Sequence, residues 1–267
     1  MTIAQSLAGR TVVVTRAVTQ ANDLVEALER YGATVISCPL IEIREPHDYA
    51  RLDEAIEHLY GYDWVIFTST NAVEFFLKRL SFKGVSYTEL DEIRVAAIGE
   101  STAEKLRDSY VHVDLVPSIS KSEGVLAALV DFVGGESYLQ GLNFLMPRAA
   151  AGRDYLPRAL EAANARIDVV TAYQNVIPTD LDRGRLSAML TGGADCIAFT
   201  SSSTVKNLAL LFDTNDLSEK LKGLTIACLG DITTATAKRF GLDPSIQPSH
   251  STMTEFAAAI ARHFAGS

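Results

Sequence analysis

The sequence predicts an α/β protein made of two similar doubly wound units, each a parallel sheet with helices on both faces. Three observations carry that prediction: a long internal repeat, short β-branched runs that are apolar almost without interruption, and a helix-period segment after each run. With 267 residues, 48% of them hydrophobic, the chain can bury the cores of two such units.

The repeat shows in paired segments. "DWVIFTSTNAVEFF" begins at Asp63 and "DCIAFTSSSTVKNL" at Asp195, 132 residues later. "GRTVVVTRAVTQANDLVEALERYGATV" from Gly9 and "GLNFLMPRAAAGRDYLPRALEAANARI" from Gly141 keep that spacing and align Arg16 with Arg148, Leu28 with Leu160 and Ala33 with Ala165. "RVAAIGESTAEKL" and "TIACLGDITTATA" align Gly99 with Gly230 and Thr102 with Thr233 at a spacing of 131, as do Pro117 and Pro248, so one residue is lost between the blocks.

Taken in order, "TVVVT", "WVIFT", "RVAAI", "NFLM", "CIAFT" and "TIACL" read as strands covered on both faces. Helix starts are expected at or near Thr19, Ser69, Ser101, Ser122, Ser201, Ser203 and Ser251, whose hydroxyls can accept N–H groups that a helix leaves unpaired. Between the first βαβ of each copy and its remainder lie "CPLIEIREP" (Cys38 to Pro46) and "DVVTAYQNVIP" (Asp168 to Pro178), extended in character and closed by aligned prolines. Such paired crossovers fit discontinuous domains, each copy giving its first βαβ to one unit and the rest to the other. Two consecutive lobes fit the same residues equally well.

Composition narrows the function. A net charge of −9 and the lack of any long Lys/Arg cluster argue against nucleic acid and leave a small molecule or a protein as partner. Cys38, Cys196 and Cys228 are far apart, and His47, His58, His112, His250 and His263 never fall at ligand spacing, so neither a disulfide framework nor a metal is expected. No run approaches the roughly 20 apolar residues that span a bilayer, and "MTIAQSLAGR" lacks the basic start and apolar core of a signal peptide. The expectation is a cytoplasmic protein with no membrane contact, and a monomer, since the helices show no surplus apolar surface.

In open parallel sheets, ligands bind beyond the carboxyl ends of the strands. The loops there are "TRAVTQ", "TSTNAV", "GESTA", "PRAAAGR", "TSSSTV" and "GDITTA", all small, hydroxylated or glycine-containing, and each opens a helix. They offer N–H groups, hydroxyls and positive helix ends to negative oxygens. Taken singly, Ser69, Ser201 and Ser203 read as plain caps, Thr102 and Thr233 as turn packing, and Arg16 and Arg148 as surface ion pairs. Recurrence favours a cleft lined with anion donors. No nucleophile elbow, phosphate loop or dinucleotide fingerprint occurs, and no Ser–His pair can be built. Tyr173 breaks the repeat, because its aligned residue is Ile41; its phenol could donate a proton, or simply end an apolar strand at the rim.

The ordered set "VVVTR", "DWVIFTSTNAVEFF", "AAIGESTAEKL", "DLVPSISKSEGVLAAL", "FLMPRAAAGRDYLPRAL", "VVTAYQNV", "CIAFTSSSTVKNL" and "ACLGDITTATA" resembles uroporphyrinogen-III synthases over nearly the whole chain. The resemblance implies two flavodoxin-like domains joined by a two-stranded β linker: 1–37 with 177–267, then 45–167, with the ladder at 38–44 and 168–176. It also implies cyclisation of hydroxymethylbilane without a cofactor, with loss of water and inversion of the last pyrrole. Under it Tyr173 is the general acid, and Arg16, Ser69, Thr70, Asn71, Gly99, Thr102, Ser122, Arg148, Ser201, Ser202, Gly230 and Thr233 bind substrate. Thr234 departs from the family, which often has Ala there. The partners expected are the linear tetrapyrrole and, transiently, the preceding bilane-forming enzyme. The competing readings are a non-catalytic two-lobed binder or sensor for a carboxylate-rich ligand, and an interaction scaffold. Tyr173 separates the first from an enzyme, and the N–H-rich loops argue against the second.

Overall fold

The computed structural model describes residues 5–179 and 181–266, the side chains of Thr19 and Arg185 excepted. The first copy of the repeat supplies β1 (Thr11–Val14), α1 (Val18–Arg30), β2 (Thr34–Ser37), β3 (Glu42–Arg44), α2 (Ala50–Glu57), β4 (Trp64–Phe67), α3 (Thr70–Phe82), β5 (Arg94–Ala97), α4 (Glu100–Arg107) and α5 (Ser122–Val133). The second supplies β6 (Asn143–Ala149), α6 (Tyr155–Ala162), β7 (Arg166–Val176), α7 (Arg183–Gly192), β8 (Cys196–Phe199), α8 (Ser202–Leu211), β9 (Thr225–Cys228), α9 (Asp231–Arg239) and α10 (Met253–Ala265).

Two compact units result, one from Met1–Glu42 with Val176–Ser267 and the other from Ile43–Asn175. The first holds a sheet of order β2-β1-β8-β9 and the second a sheet of order β3-β7-β6-β4-β5. Every pair from β2 to β9 and from β7 to β5 is parallel. Under the repeat, β7, β6, β4 and β5 stand where β2, β1, β8 and β9 stand. Each sheet therefore takes its first βαβ from one copy and its remaining strands from the other. The two segments expected as a linking ladder are neighbours: β3 lies beside β7 at the outer edge of the second sheet, and β7 in turn pairs with β6 as far as Tyr173.

Strand alternation divides each interior in two. In the first unit Val13, Ile197, Phe199 and Ile226 pack with Leu186, Leu190, Val205 and Leu208 of α7 and α8. Val12, Val14, Cys196 and Ala198 meet Leu24, Leu28, Phe256 and Ile260 of α1 and α10 on the other face. In the second unit Val65, Phe67, Val95 and Leu145 face α2, α3 and α4, while Trp64, Ile66, Phe144 and Met146 face α5 and α6. All four residues of β4 and of β8 are buried, which is why these runs are apolar without alternation.

The repeat extends to single hydrogen bonds. Asp195 Oδ2 accepts the Thr11 N–H at 2.8 Å, and the aligned Asp63 Oδ2 accepts the Asn143 N–H at 2.8 Å. Both carboxylates tie the start of one central strand to its neighbour. The Thr11 N–H, followed by the Arg10 guanidinium, holds the Asp195 carboxyl below its ordinary range. At the other end of the strands, Ala97 and Cys228 donate to the carbonyls of Leu115 and Ile246, so the chain folds back beside β5 and β9. There a Cβ on Gly99 would lie 2.6 Å from Ser120 Oγ, and one on Gly230 would lie 3.2 Å from the aligned Ser251 Oγ. Both glycines serve close approach rather than unusual dihedrals, since their φ values of −171° and −159° are extended.

Two outcomes are expected. Because the Asp195 pKa is lower in the folded protein, its ionised form adds stability above the unfolded-state value near 4 and loses it as pH falls through the folded value. Asp195→Asn should thus cost about 1 kcal/mol at pH 7, and the gap should close below about pH 4 when denaturant unfolding is followed against pH. Gly99→Ala should destabilise by about 1–2 kcal/mol through overpacking, more than Gly230→Ala does, and Ser120→Gly should recover most of that loss; equal losses at the two glycines in thermal melts would contradict the crowding.

Candidate active site

The strand-to-helix loops lie at the carboxyl edge of each sheet, as parallel connections require. In the second unit that edge brings together Ser69 after β4, Gly99 after β5, Arg148 on β6 and Tyr173 on β7. Ser69 is the N-cap of α3, its Oγ accepting the Ala72 N–H at 3.1 Å, and it also lies 3.1 Å from Tyr173 Oη. Two of the residues singled out in the sequence are therefore in direct contact. Tyr173 is only 6% exposed; its ring stacks on Phe75 with centroids 5.7 Å apart and planes at 26°. Thr70 and Asn71 form the first turn of α3, with partly exposed side chains.

The first unit repeats the pattern without the phenol. Ser201 caps α8, accepting the Thr204 N–H at 3.4 Å, and Ser202 follows as the first helical residue. Gly99 and Gly230 themselves occupy the N-cap positions of α4 and α9, where no side chain caps. Lys121 precedes α5, so Ser122 is its first residue rather than its cap, and Thr252, not Ser251, caps α10. The Thr19 side chain lies outside the described residues.

Other candidates are turned inward. Thr102 and Thr233 are 2% and 5% exposed, held inside their turns. Arg148 donates to the Arg153 carbonyl and to Asp154 Oδ1, each at 2.7 Å, so its guanidinium braces its own loop; that hydrogen bond holds the Asp154 carboxyl below its ordinary range. Arg16 lies against Met253, Nη1 at 3.7 Å from Sδ, with Nε buried and unpaired among the described residues. Burial lowers its pKa, and Asp23 opposes that. Arg148 thus makes the ion pair that the sequence offered, with Asp154 of its own loop, whereas Arg16 does not form one at the surface. Burial likewise pushes the Cys38 and Cys228 thiols up to about 11 and about 12, which leaves them unreactive.

Two features escaped the sequence. Phe75 aligns with Asn207, whose Nδ2 donates to the Leu40 carbonyl at 2.8 Å. Phe75 meets Tyr173, and Asn207 meets the residue before Ile41, so both departures from the repeat fall on one contact; comparing the copies position by position would have shown it. Thr234 is more than padding: its Oγ1 contacts Gln247 Oε1 at 2.5 Å, and Gln247 Nε2 donates to Asp231 Oδ1 at 2.7 Å, closing the first turn of α9.

A cavity of about 400 Å³ lies at the opposite, amino end of the second sheet, bordered by Arg51, His58 and Tyr62. Of its two lining carboxylates, Glu54 is exposed and Asp168 accepts from Tyr62 Oη at 2.8 Å and from Arg166 at 2.9 Å. Among the described residues no group of three His, Cys, Asp or Glu side chains converges to hold a metal, and no helix is long and apolar enough to cross a membrane.

A model of the uroporphyrinogen-III synthase HemD family matches residues 22–258. The chain is 32% identical to a uroporphyrinogen-III synthase of Synechococcus elongatus over 88% of each chain, and 30% identical to one of Chlorobaculum parvum, covering 94% of this chain and 98% of that one. In fold it is similar to a mutant uroporphyrinogen III synthase of Thermus thermophilus (TM-score 0.69, 16% identity, 97% of this chain and 100% of that one). It is likewise similar to the Helicobacter pylori enzyme (TM-score 0.61, 19% identity, 95% and 99%). With a family model spanning most of its length, and with relatives aligned nearly end to end, the chain belongs to the uroporphyrinogen-III synthase family.

Proposed function

We propose that this protein cyclises hydroxymethylbilane to uroporphyrinogen III, with Tyr173 as the proton donor to the departing hydroxyl. The observation that carries the chemistry is the phenol itself: ring buried and stacked on Phe75, oxygen 3.1 Å from a helix cap at the carboxyl edge of the sheet. An oriented phenol among main-chain donors suits a leaving group that needs one proton and no covalent partner. The substrate bears acetate and propionate groups on every pyrrole. Main-chain N–H groups of the first helical turns at Thr70–Asn71, Gly99, Ser122, Ser202 and Gly230 can bind such carboxylates without a basic surface.

In this reading Thr102, Thr233, Arg16 and Arg148 serve binding by holding their turns in shape, with Ser69 and Ser201 as caps beside the ligand. Catalysis is mainly orientation: an electron-rich bilane closes unaided, and the protein has to favour attack at the substituted carbon of the last ring. The reading includes a discontinuous first domain, a cytoplasmic location, a monomeric state and a transient contact with the enzyme that delivers the bilane.

A coupled assay tests it: hydroxymethylbilane is generated in situ, the products are oxidised, and the porphyrin isomers are separated. Predominantly type III isomer is expected; type I alone, the product of unassisted closure, would refute the activity. Tyr173→Phe should keep the melting temperature within a few degrees yet lower turnover on the order of 10²-fold; unchanged turnover would remove Tyr173 from the chemistry.

A further inference from the structure

Ser69 Oγ makes two contacts at once, accepting the Ala72 N–H at 3.1 Å and lying 3.1 Å from Tyr173 Oη. A hydroxyl has one proton and two lone pairs. With one lone pair held by the main chain, the Ser69 hydroxyl can give its proton to the phenol oxygen, and in that arrangement the phenol keeps its own proton for another acceptor. We infer that Ser69 is a positioning residue for the reaction: capping α3 orients its hydroxyl to donate to Tyr173, which aims the phenol O–H at the substrate and stabilises the phenolate left behind. This rests on the reading of Tyr173 as proton donor.

The step balances. The C–O bond of the hydroxymethyl group breaks with its electron pair on oxygen, which takes the Tyr173 proton and leaves as water. The adjacent pyrrole nitrogen supplies the electron pair that stabilises the resulting carbocation. The phenolate stays, held by the Ser69 O–H and facing the positive end of α3. After ring closure, the proton lost as the attacked pyrrole regains aromaticity returns to the phenolate.

The repeat supplies an internal comparison. Ser201 caps α8 in the same way, through the Thr204 N–H at 3.4 Å, but Ile41 stands where Tyr173 does, so this cap has no phenol to serve. A merely structural cap at Ser69 would behave as Ser201 does.

The test compares Ser69→Ala, Ser69→Thr, Ser69→Asp and Ser201→Ala with wild type, by steady-state kinetics of type III isomer formation and by thermal melts. Ser69→Ala should lower kcat about tenfold or more, with KM within about twofold, as expected when a proton donor is misdirected. Ser69→Thr should recover kcat to within about threefold of wild type, because it keeps both the cap and the donated proton. Ser69→Asp also caps, so it should melt near wild type, but with no proton to give it should leave kcat as low as Ser69→Ala does. Ser201→Ala should act on KM. In a Tyr173→Phe background, Ser69→Ala should cost no further kcat. If Ser69→Ala does not fold, the capped Thr and Asp variants make the same comparison. Wild-type kcat in Ser69→Ala, or recovery by Ser69→Asp, overturns the inference while the synthase reading stands. A wild-type protein that makes only type I isomer overturns both.

Discussion

Parallel strands cannot be joined by a tight turn, so every connection in both sheets has to cross back over a face, usually as a helix. That constraint organises the rest of the molecule. It requires apolar residues on both sides of β1, β4, β6 and β8, and it gathers the loops after β4, β5, β8 and β9 at one edge of their sheets, each opening a helix. A row of helix N-termini is thereby produced by topology, before any side chain is chosen. The side chains then divide the labour. Ser69, Ser201 and Thr252 cap, while Gly99 and Gly230 give up a side chain so that Ser120 and Ser251 can come close.

The chain carries a net charge of −9, and its two candidate arginines are engaged close to home. Arg148 braces its own loop and Arg16 is pressed against Met253. In the function proposed above, anions are met by main-chain N–H groups, whose dipoles are fixed by the fold and need no ion pair. Orientation is bought here by rigid backbone rather than by long charged side chains, which lose more rotamer freedom on ordering. The Tyr173 phenol is placed by contacts of several kinds: the strand pairing of Ala149 with Tyr173, the stack on Phe75 and the hydroxyl of Ser69.

The strands and the equivalence of the two copies could be read in the sequence because both rest on one-dimensional signals, whereas the swap of strands between copies could not, since two consecutive lobes fitted the same residues. Apolar runs such as "WVIF" mark strands buried on both faces, and a fixed spacing marks equivalence. Tyr173 stood out for the same reason, as a phenol where the other copy has Ile41. The caps at Ser69 and Ser201 followed from residue type, whereas Gly99, Lys121 and Gly230 at other helix starts carry no such signature. The direction of Arg16 and Arg148 was out of reach. It depends on side-chain torsions and on neighbours such as Met253, 237 positions away. The burial of Thr102 and Thr233 likewise depends on packing that residue type does not announce. Strand β3, three residues long, is too short for periodicity to register, so its place at the outer edge of the second sheet was not legible in the sequence.

The nesting of one unit inside the chain of the other has a consequence for the order of assembly. The first sheet is centred on β1 against β8, a pairing whose Thr11–Asp195 contact spans 184 positions. Closing so long a loop from an unfolded chain carries a large entropy cost and slows the search. The inner unit, Ile43–Asn175, is synthesised whole before β8 exists, and its own ends meet where Gln174 Nε2 donates to the Glu45 carbonyl at 2.8 Å. Once folded, it acts as a clamp that brings the two halves of the outer sheet to the same place. The distance the chain must search then shrinks to the few short segments left outside. Nucleation in the inner unit and completion in the outer one is the folding sequence this architecture favours, on the ribosome as in the test tube.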